Sequence, residues 1–363
     1  MEYSIQRKLT FGNNRNISGH CNKRLQKGNK NKSKQRIDYL LGMKGILLIN
    51  IGSPAACTKS DVRKFIGDML SDPLIFGKPE WLSKFLARNI IAPLSAKKSF
   101  GKYKQIWRTE EPTVSPIVYF MQKLALSLEN KKNIPVEIAM RFGNPDISRA
   151  LKNLEKKSPH LREVIVFPLF PHYAQSTTQT TMDEIGKVFN KRPRSYRLKI
   201  IEPYFDHPAF IDALTEHARP YLKDIDKLVF SYHSLPNNQV EAAWKKGKKF
   251  DYVYQLKKTN HLLCEKLNIE SQFTLLFYAS QRGRNWLKPF IDTDISGLPK
   301  LGWKKVAVIS PGFPVDNMET LYDIDIQARE MFMKAGGEKF VFVPSLNDAD
   351  VWVEAVWKII SEV

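Results

Sequence analysis

Eight short apolar runs, separated by stretches with helical spacing, set the pattern of this chain. They begin at KGILLINIGSP (44–54), VEIAMRFGNP (136–145), EVIVFPLFPHYAQSTTQTT (163–181) and RLKIIEPY (197–204). LVFSYHSLP (228–236), FTLLFYASQRGRNWLKP (273–289), KKVAVIS (304–310) and FVFVPSLND (340–348) complete the set. The runs are rich in Val, Ile, Leu and Phe and do not alternate with polar residues, which predicts parallel strands buried on both faces. Turn residues follow several of them: Gly52-Ser53-Pro54, Gly143-Asn144-Pro145 and Pro311-Gly312-Phe313-Pro314. DVRKFIGDMLSDPLI, ISRALKNLEKK, MDEIGKVFNK, YVYQLKKTNHLLCEKL and the closing VWVEAVWKIISEV carry helical periodicity. Four strands before residue 205 and four after it predict an α/β chain of two similar doubly wound, Rossmann-like halves with parallel sheets around a central cleft. The expected domains are 44–205, closed by a C-terminal helix over 347–363, and 206–346.

Residues 1–43 fit neither half. They hold ten Lys/Arg against two Asp/Glu and few large apolar residues, so the segment is expected to be a disordered basic extension. The simplest reading is that translation starts at Met43, or that the extension is expendable. It has no apolar core of a secretory signal and matches a transit peptide weakly. The extension supplies eight of the chain's formal +20 charges, and the rest show no arginine stripe, which argues against nucleic acid as the main partner. No apolar run is long enough to span a bilayer. KPEWLSKFLARNIIAPL (78–94) is amphipathic, with Trp81, Phe85, Ile90 and Ile91 on its apolar side. It reads either as core or as a lip over an apolar pocket or a membrane surface. Cys21, Cys57 and Cys264 form no CxxC pair and are one short of the four thiolates that usually hold an iron–sulfur cluster, so none is expected. The dinucleotide and P-loop fingerprints are absent.

Candidate chemistry concentrates after the seventh run. Asp316 and Glu319 have the spacing of a capping box, and Glu319, Asp323 and Gln327 recur every fourth position, on one helix face. Two readings of Glu319 stand side by side: a helix cap with a solvated stripe, or a carboxylate at the ligand edge of the sheet. His233, where an earlier strand meets its loop, lies at the same edge. Imidazole with carboxylate suits a divalent transition metal or proton transfer near neutral pH.

Several segments together resemble one family, the ferrochelatases. They are GILLINIGSP, MLSDP, KKSFGKYKQIW, AMRFGNP, FPLFPHYAQSTT, SYHSLP, PGFPVDNMETLYDID and SLND, in the family's order from about Lys44 to the C-terminus. The resemblance implies a lyase of haem biosynthesis that inserts ferrous iron into protoporphyrin IX with release of two protons. It implies the two-domain chelatase fold, iron as substrate and no tightly bound cofactor. His233 and Glu319 match the family's metal-handling pair, and Asp323 an acid on a suggested delivery path. Ile51, Arg141, Tyr173, Ser176 and Thr177 match residues at the porphyrin, and Lys97 and Lys98 are candidates for its propionates. Three departures from the pattern stand out: Gln327 replaces a third acid, Asn317 replaces a histidine of some relatives, and Gln281 and Arg282 lie in an altered motif. The expected location is cytoplasmic, with the lip open to peripheral membrane contact. The rival readings are a chelatase for another tetrapyrrole or metal, and a two-lobed binding protein.

Overall fold

The computed structural model describes residues 43–280, 283 and 285–363. The basic extension, Cys21, Gln281 and Arg282 lie outside the described residues. All eight apolar runs form strands: β1 (Lys44–Gly52), β2 (Val136–Phe142), β3 (Glu163–Pro168), β4 (Arg197–Ile200), β5 (Lys227–His233), β6 (Thr274–Ala279), β7 (Lys305–Ile309) and β8 (Lys339–Phe342). Every pairing is parallel, in two four-stranded sheets ordered β2-β1-β3-β4 and β6-β5-β7-β8. The second order repeats the first, strand for strand. In each sheet the leading strand lies between the next two, so its C-terminal end is the point where the winding reverses and a crevice opens. Ile51 is the penultimate residue of one such strand, and His233 is the last of the other.

One continuous apolar core joins the sheets. It runs from Ile46 and Leu48 through Phe167 to Phe230, Tyr232 and Ala307, with Trp352 of the terminal helix Asp350–Ser361 fully buried within it. Trp352 packs edge-on against both Phe167 and Phe210, the latter on helix Pro208–Ala218. A separate, smaller cluster of Val62, Ile66, Leu70, Ala87, Ala92 and Tyr103 holds together the helices between β1 and β2, with Met318 packed against it.

Glycine is required where β1 and β2 end. Gly52 has φ +116°, and a Cβ there would lie 1.7 Å from the Phe142 carbonyl oxygen; one on Gly143 (φ +101°) would lie 2.5 Å from that of Ser53. Only glycine permits this conformation and approach.

Helical periodicity is met with one difference in kind. Ala87–Ile91, Gln175–Gln179 and Glu319–Ala328 are π-helical, the last for ten residues. Their i→i+5 bonding widens the turn and is often found at functional sites. Trp81, Phe85, Ile90 and Leu94 are exposed, by 71, 55, 43 and 77% respectively. The segment therefore divides: Ala87, Ile91 and Ala92 pack into the small core, while Trp81, Phe85, Ile90 and Leu94 present an apolar patch to solvent.

Candidate active site

The strand ends frame an apolar cleft of about 220 Å³. Ile51, Phe65, Met69, Ile75, Tyr103, Leu169, Phe170 and Phe313 supply apolar and aromatic walls, and His233, Ser280 and Glu319 converge as polar groups.

His233 is the last residue of β5 and pairs in register with Ala279, so Ser280 comes immediately beside it. Ser280 has φ +64°, a left-handed turn that ends β6. Its hydroxyl donates to Glu319 Oε2 at 2.6 Å, and His233 Nδ1 lies 2.7 Å from the same oxygen. A carboxylate only accepts, so Nδ1 carries the hydrogen of this bond, and in the neutral imidazole Nε2 then presents a lone pair. The Tyr252 hydroxyl donates to the His233 carbonyl at 3.0 Å, bracing the strand end. The Glu319 side chain is nearly buried, whereas that of His233 is one-third exposed.

A buried clasp sets the start of the wide helix. Asp316 accepts from the Thr320 hydroxyl (2.8 Å), the Ser345 amide (3.2 Å) and the Asn347 side-chain amide (2.7 Å). Its own N–H donates back to Asn347 Oδ1 at 2.9 Å. The capping-box reading is thus replaced: Asn317 Oδ1 accepts from the Glu319 N–H at 2.8 Å, and because Asn347 Oδ1 takes the Asp316 N–H, the Glu319 carboxylate is left to His233 and Ser280. The clasp also accounts for the SLND segment, whose Ser345 and Asn347 reach across to Asp316.

The remaining sequence candidates divide. Ile51, Ser176 and Thr177 line the cleft. Tyr173 is buried beside it but is not part of its lining; its N–H donates to Gln255 Oε1 at 2.7 Å and its ring meets Phe250 edge-on. Burial pushes the Tyr173 hydroxyl pKa up, helped by Asp183. Arg141 is likewise absent from the cleft lining. Its guanidinium donates to Asp72 (2.6 Å) and to the Thr180 hydroxyl (2.9 Å) and carbonyl (3.0 Å), with Glu184 at 3.6 Å. An arginine so engaged holds the wall and has little left for a propionate. Asp323 is buried and paired with Lys102 at 2.5 Å. Burial pushes its pKa up, Lys102 opposes that, and Glu319 and Asp292 add to it. Among the described residues no group of three or more His, Cys, Asp and Glu could hold a metal ion, so His233, Glu319 and Asp323 do not form a three-ligand centre.

Ser280, Tyr252 and Lys102 were not singled out by sequence reasoning. His172 belongs with them: it lines the cleft, fully buried, with Nε2 2.9 Å from Thr259 Oγ1. The Thr259 hydroxyl donates to the Phe205 carbonyl, so His172 Nε2 is the donor to Thr259. Burial lowers the His172 pKa to about 3, keeping the ring neutral.

Residues 43–363 match the family profile described as Ferrochelatase. The ferrochelatase of Aeromonas hydrophila is 36% identical over 310 residues, covering 84% of this chain and 93% of that protein. That of Francisella tularensis subsp. novicida is 34% identical over 325 residues, covering 87 and 95%. That of Vibrio atlanticus is 31% identical over 321 residues, covering 87 and 97%. Among solved structures, SirB from Bacillus subtilis with Fe3+ superposes with a TM-score of 0.50 at 13% identity, covering 88% of this chain and 94% of that one. That likeness is of fold. With the family profile spanning every described residue and relatives matched over nearly their whole length, this chain belongs to the ferrochelatase family.

Proposed function

We infer that this chain is a lyase of haem biosynthesis that inserts ferrous iron into protoporphyrin IX, forming protohaem and releasing two protons. The observation that carries the site assignment is the His233–Glu319 pair, joined at 2.7 Å on the wall of an apolar cleft. Metallation must remove two pyrrole protons and bring a divalent cation to the centre of a planar, hydrophobic ring. The Nε2 lone pair of His233 can take a proton or ligate the entering iron. In either case the ring gains positive charge, which the adjacent Glu319 carboxylate stabilises. Ser280, donating to the same carboxylate oxygen, fixes its orientation. The apolar walls exclude water, which strengthens these interactions.

Ile51, Ser176 and Thr177 are proposed as porphyrin contacts, supported by their place on the cleft wall. Tyr173 is proposed to support that wall through its backbone and ring, and Arg141 to anchor it through Asp72. Asp323 is proposed as an auxiliary group on the iron route. Residues 44–205 with 347–363, and 206–346, are proposed as the two domains, each containing one sheet. The exposed apolar patch around Trp81, flanked by Lys78, Lys84 and Arg88, is proposed to rest on a membrane where the porphyrin is presented; no described helix is long and apolar enough to cross one. No iron–sulfur cluster is proposed, because three thiols fall short of four.

The test is anaerobic incubation of the purified chain with ferrous iron and protoporphyrin, followed by loss of porphyrin fluorescence and gain of haem absorbance. Turnover only with another tetrapyrrole or metal would select the related-chelatase reading. Stoichiometric binding without any metallation would select a binding protein.

A further inference from the structure

The cleft wall carries no cation. Among the described residues that line it none is Lys or Arg, and Arg141, Lys97 and Lys98 stay outside it. A porphyrin dicarboxylate can bury its ring there but not its charges, which have to project from the mouth and meet positive charge at the rim. The segment WKKGKKF (244–250) supplies such charge, and it lies outside every segment that carries the family resemblance. It joins helix Asn237–Trp244 to helix Tyr252–Leu267. Lys245, Lys246, Lys248 and Lys249 are all exposed, and none has a carboxylate partner among the described residues. Asp251, the next acid along the chain, is occupied in capping the following helix, where its Oδ1 accepts from the Tyr254 N–H at 3.0 Å.

This loop is fixed to the cleft wall through one glutamine and one ring. Gln255 Nε2 donates to the Lys249 carbonyl at 2.8 Å, while Gln255 Oε1 accepts from the Tyr173 N–H at 2.7 Å. The Phe250 ring meets that of Tyr173 edge-on at 4.9 Å, and Lys249 Nζ stands 5.2 Å from the centre of the Phe250 ring. Tyr173 immediately precedes Ala174, which lines the cleft with Ser176 and Thr177, and Tyr252, two residues after Phe250, lines it as well. Lys248 Nζ stands 5.7 Å from the centre of the Tyr254 ring. Exposed contacts of an ammonium with a ring are weak, so both cations can turn to an anion on their flexible stems. We propose that Lys248 and Lys249 form the carboxylate subsite of this cleft and select tetrapyrroles that present carboxylate side chains at the mouth. This inference rests on the porphyrin reading above and names the residues that discriminate among substrates of that site.

The test reads binding to the full chain without iron, by quenching of tryptophan fluorescence at about 0.1 M salt. Protoporphyrin IX is compared with its dimethyl ester, which has no free carboxylate, in the same detergent. Lys248→Gln combined with Lys249→Gln should raise the Kd for protoporphyrin by about three- to tenfold, as expected for two exposed ion pairs. The Kd for the ester should stay within about twofold of the parent value. Lys248→Arg combined with Lys249→Arg keeps both charges and should bind protoporphyrin within about twofold of the parent. At about 1 M salt, where the screening length falls to about 3 Å, parent and Gln variant should converge. Equal protoporphyrin Kd values for the parent and the folded Gln variant at low salt would overturn the proposal. So would an equal loss for the ester, which marks a packing role. Loss confined to cosedimentation with phosphatidylglycerol vesicles would overturn it in favour of a lipid headgroup site. If the parent binds protoporphyrin but forms no haem, the iron-insertion reading fails while the Kd comparison still decides the subsite; a parent that binds no porphyrin sinks both.

Discussion

Glu319→Gln removes one charge from the site and almost no volume. The variant keeps an oxygen that can accept from Ser280 and His233, and the Asn317 bond to the residue-319 N–H is a backbone contact that survives. Loss of stability should stay near the ~1 kcal/mol of one weakened hydrogen bond. Catalysis should respond differently. A unit charge forming on the imidazole roughly 4 Å from a carboxylate interacts with it by about 4 kcal/mol at an effective dielectric of about 20. His233 is one-third exposed, so solvent reduces this, and about 2–4 kcal/mol is a fair span. At about 1.36 kcal/mol per decade, kcat should fall by roughly 30- to 1,000-fold. Porphyrin affinity, which comes mainly from apolar burial, should change far less. The assay is anaerobic haem formation at saturating porphyrin, with affinity read from quenching of tryptophan fluorescence. His233→Ala should fall into the same range, and the double variant should be little worse than the poorer single one, because the two act as a unit. Folded Glu319→Gln protein turning over within about threefold of the parent would refute the electrostatic argument.

Further outcomes follow from the surroundings. Trp81→Ala and Phe85→Ala alter exposed side chains, so stability should shift by less than about 0.5 kcal/mol while the porphyrin KM rises in assays on lipid vesicles; equal KM values for variant and parent would remove the membrane role. Arg141→Met leaves Asp72, whose side chain is 10% exposed, without its cation, at an expected cost of about 3–5 kcal/mol. A marked drop in Tm with little change in porphyrin affinity supports the wall-anchor role, and the reverse pattern supports a propionate contact. His172, held at about 3 by burial, must gain a proton when the chain unfolds in acid. Its stabilisation is complete above the unfolded value near 6.5 and is lost progressively as pH falls towards 3. His172→Gln should therefore flatten the acid side of the Tm–pH curve, and an unchanged slope would contradict the assignment.

Strand positions were legible because a parallel strand buried on both faces leaves an unbroken apolar run, and no helix of similar length mimics eight of them. The His233–Glu319 pair was legible partly from position at strand ends and partly from family motifs. The geometry joining the two was not. Ser280 lies in a segment whose motif is altered, and its left-handed turn leaves no mark in a serine codon. The capping-box spacing at Asp316 and Glu319 pointed the wrong way, because Ser345 and Asn347, about thirty residues on, compete for Asp316. Arg141 likewise looked like a rim cation until Asp72, 69 residues earlier in the chain, claimed it. Local spacing records what a residue can do, whereas distant partners decide what it does. Nor does periodicity separate a π-helix from an α-helix over ten residues, so the wide turn beginning at Glu319 could not be anticipated.

The division of the apolar interior into one large shared core and one small satellite has a mechanical consequence. The two sheets and the terminal helix behave as the spine of a book: the ends of β1 and β5 cannot part without exposing Trp352 and its neighbours. A cavity of about 220 Å³ is nevertheless smaller than the ~300–1,000 Å³ usual for sites that enclose a drug-sized ligand. The helices around Val62, Ile66 and Tyr103 carry their own small core and wall the cleft on the other side, but the Lys102–Asp323 pair and Met318 tie them to the wide helix, so widening the cleft on that side has to break those contacts.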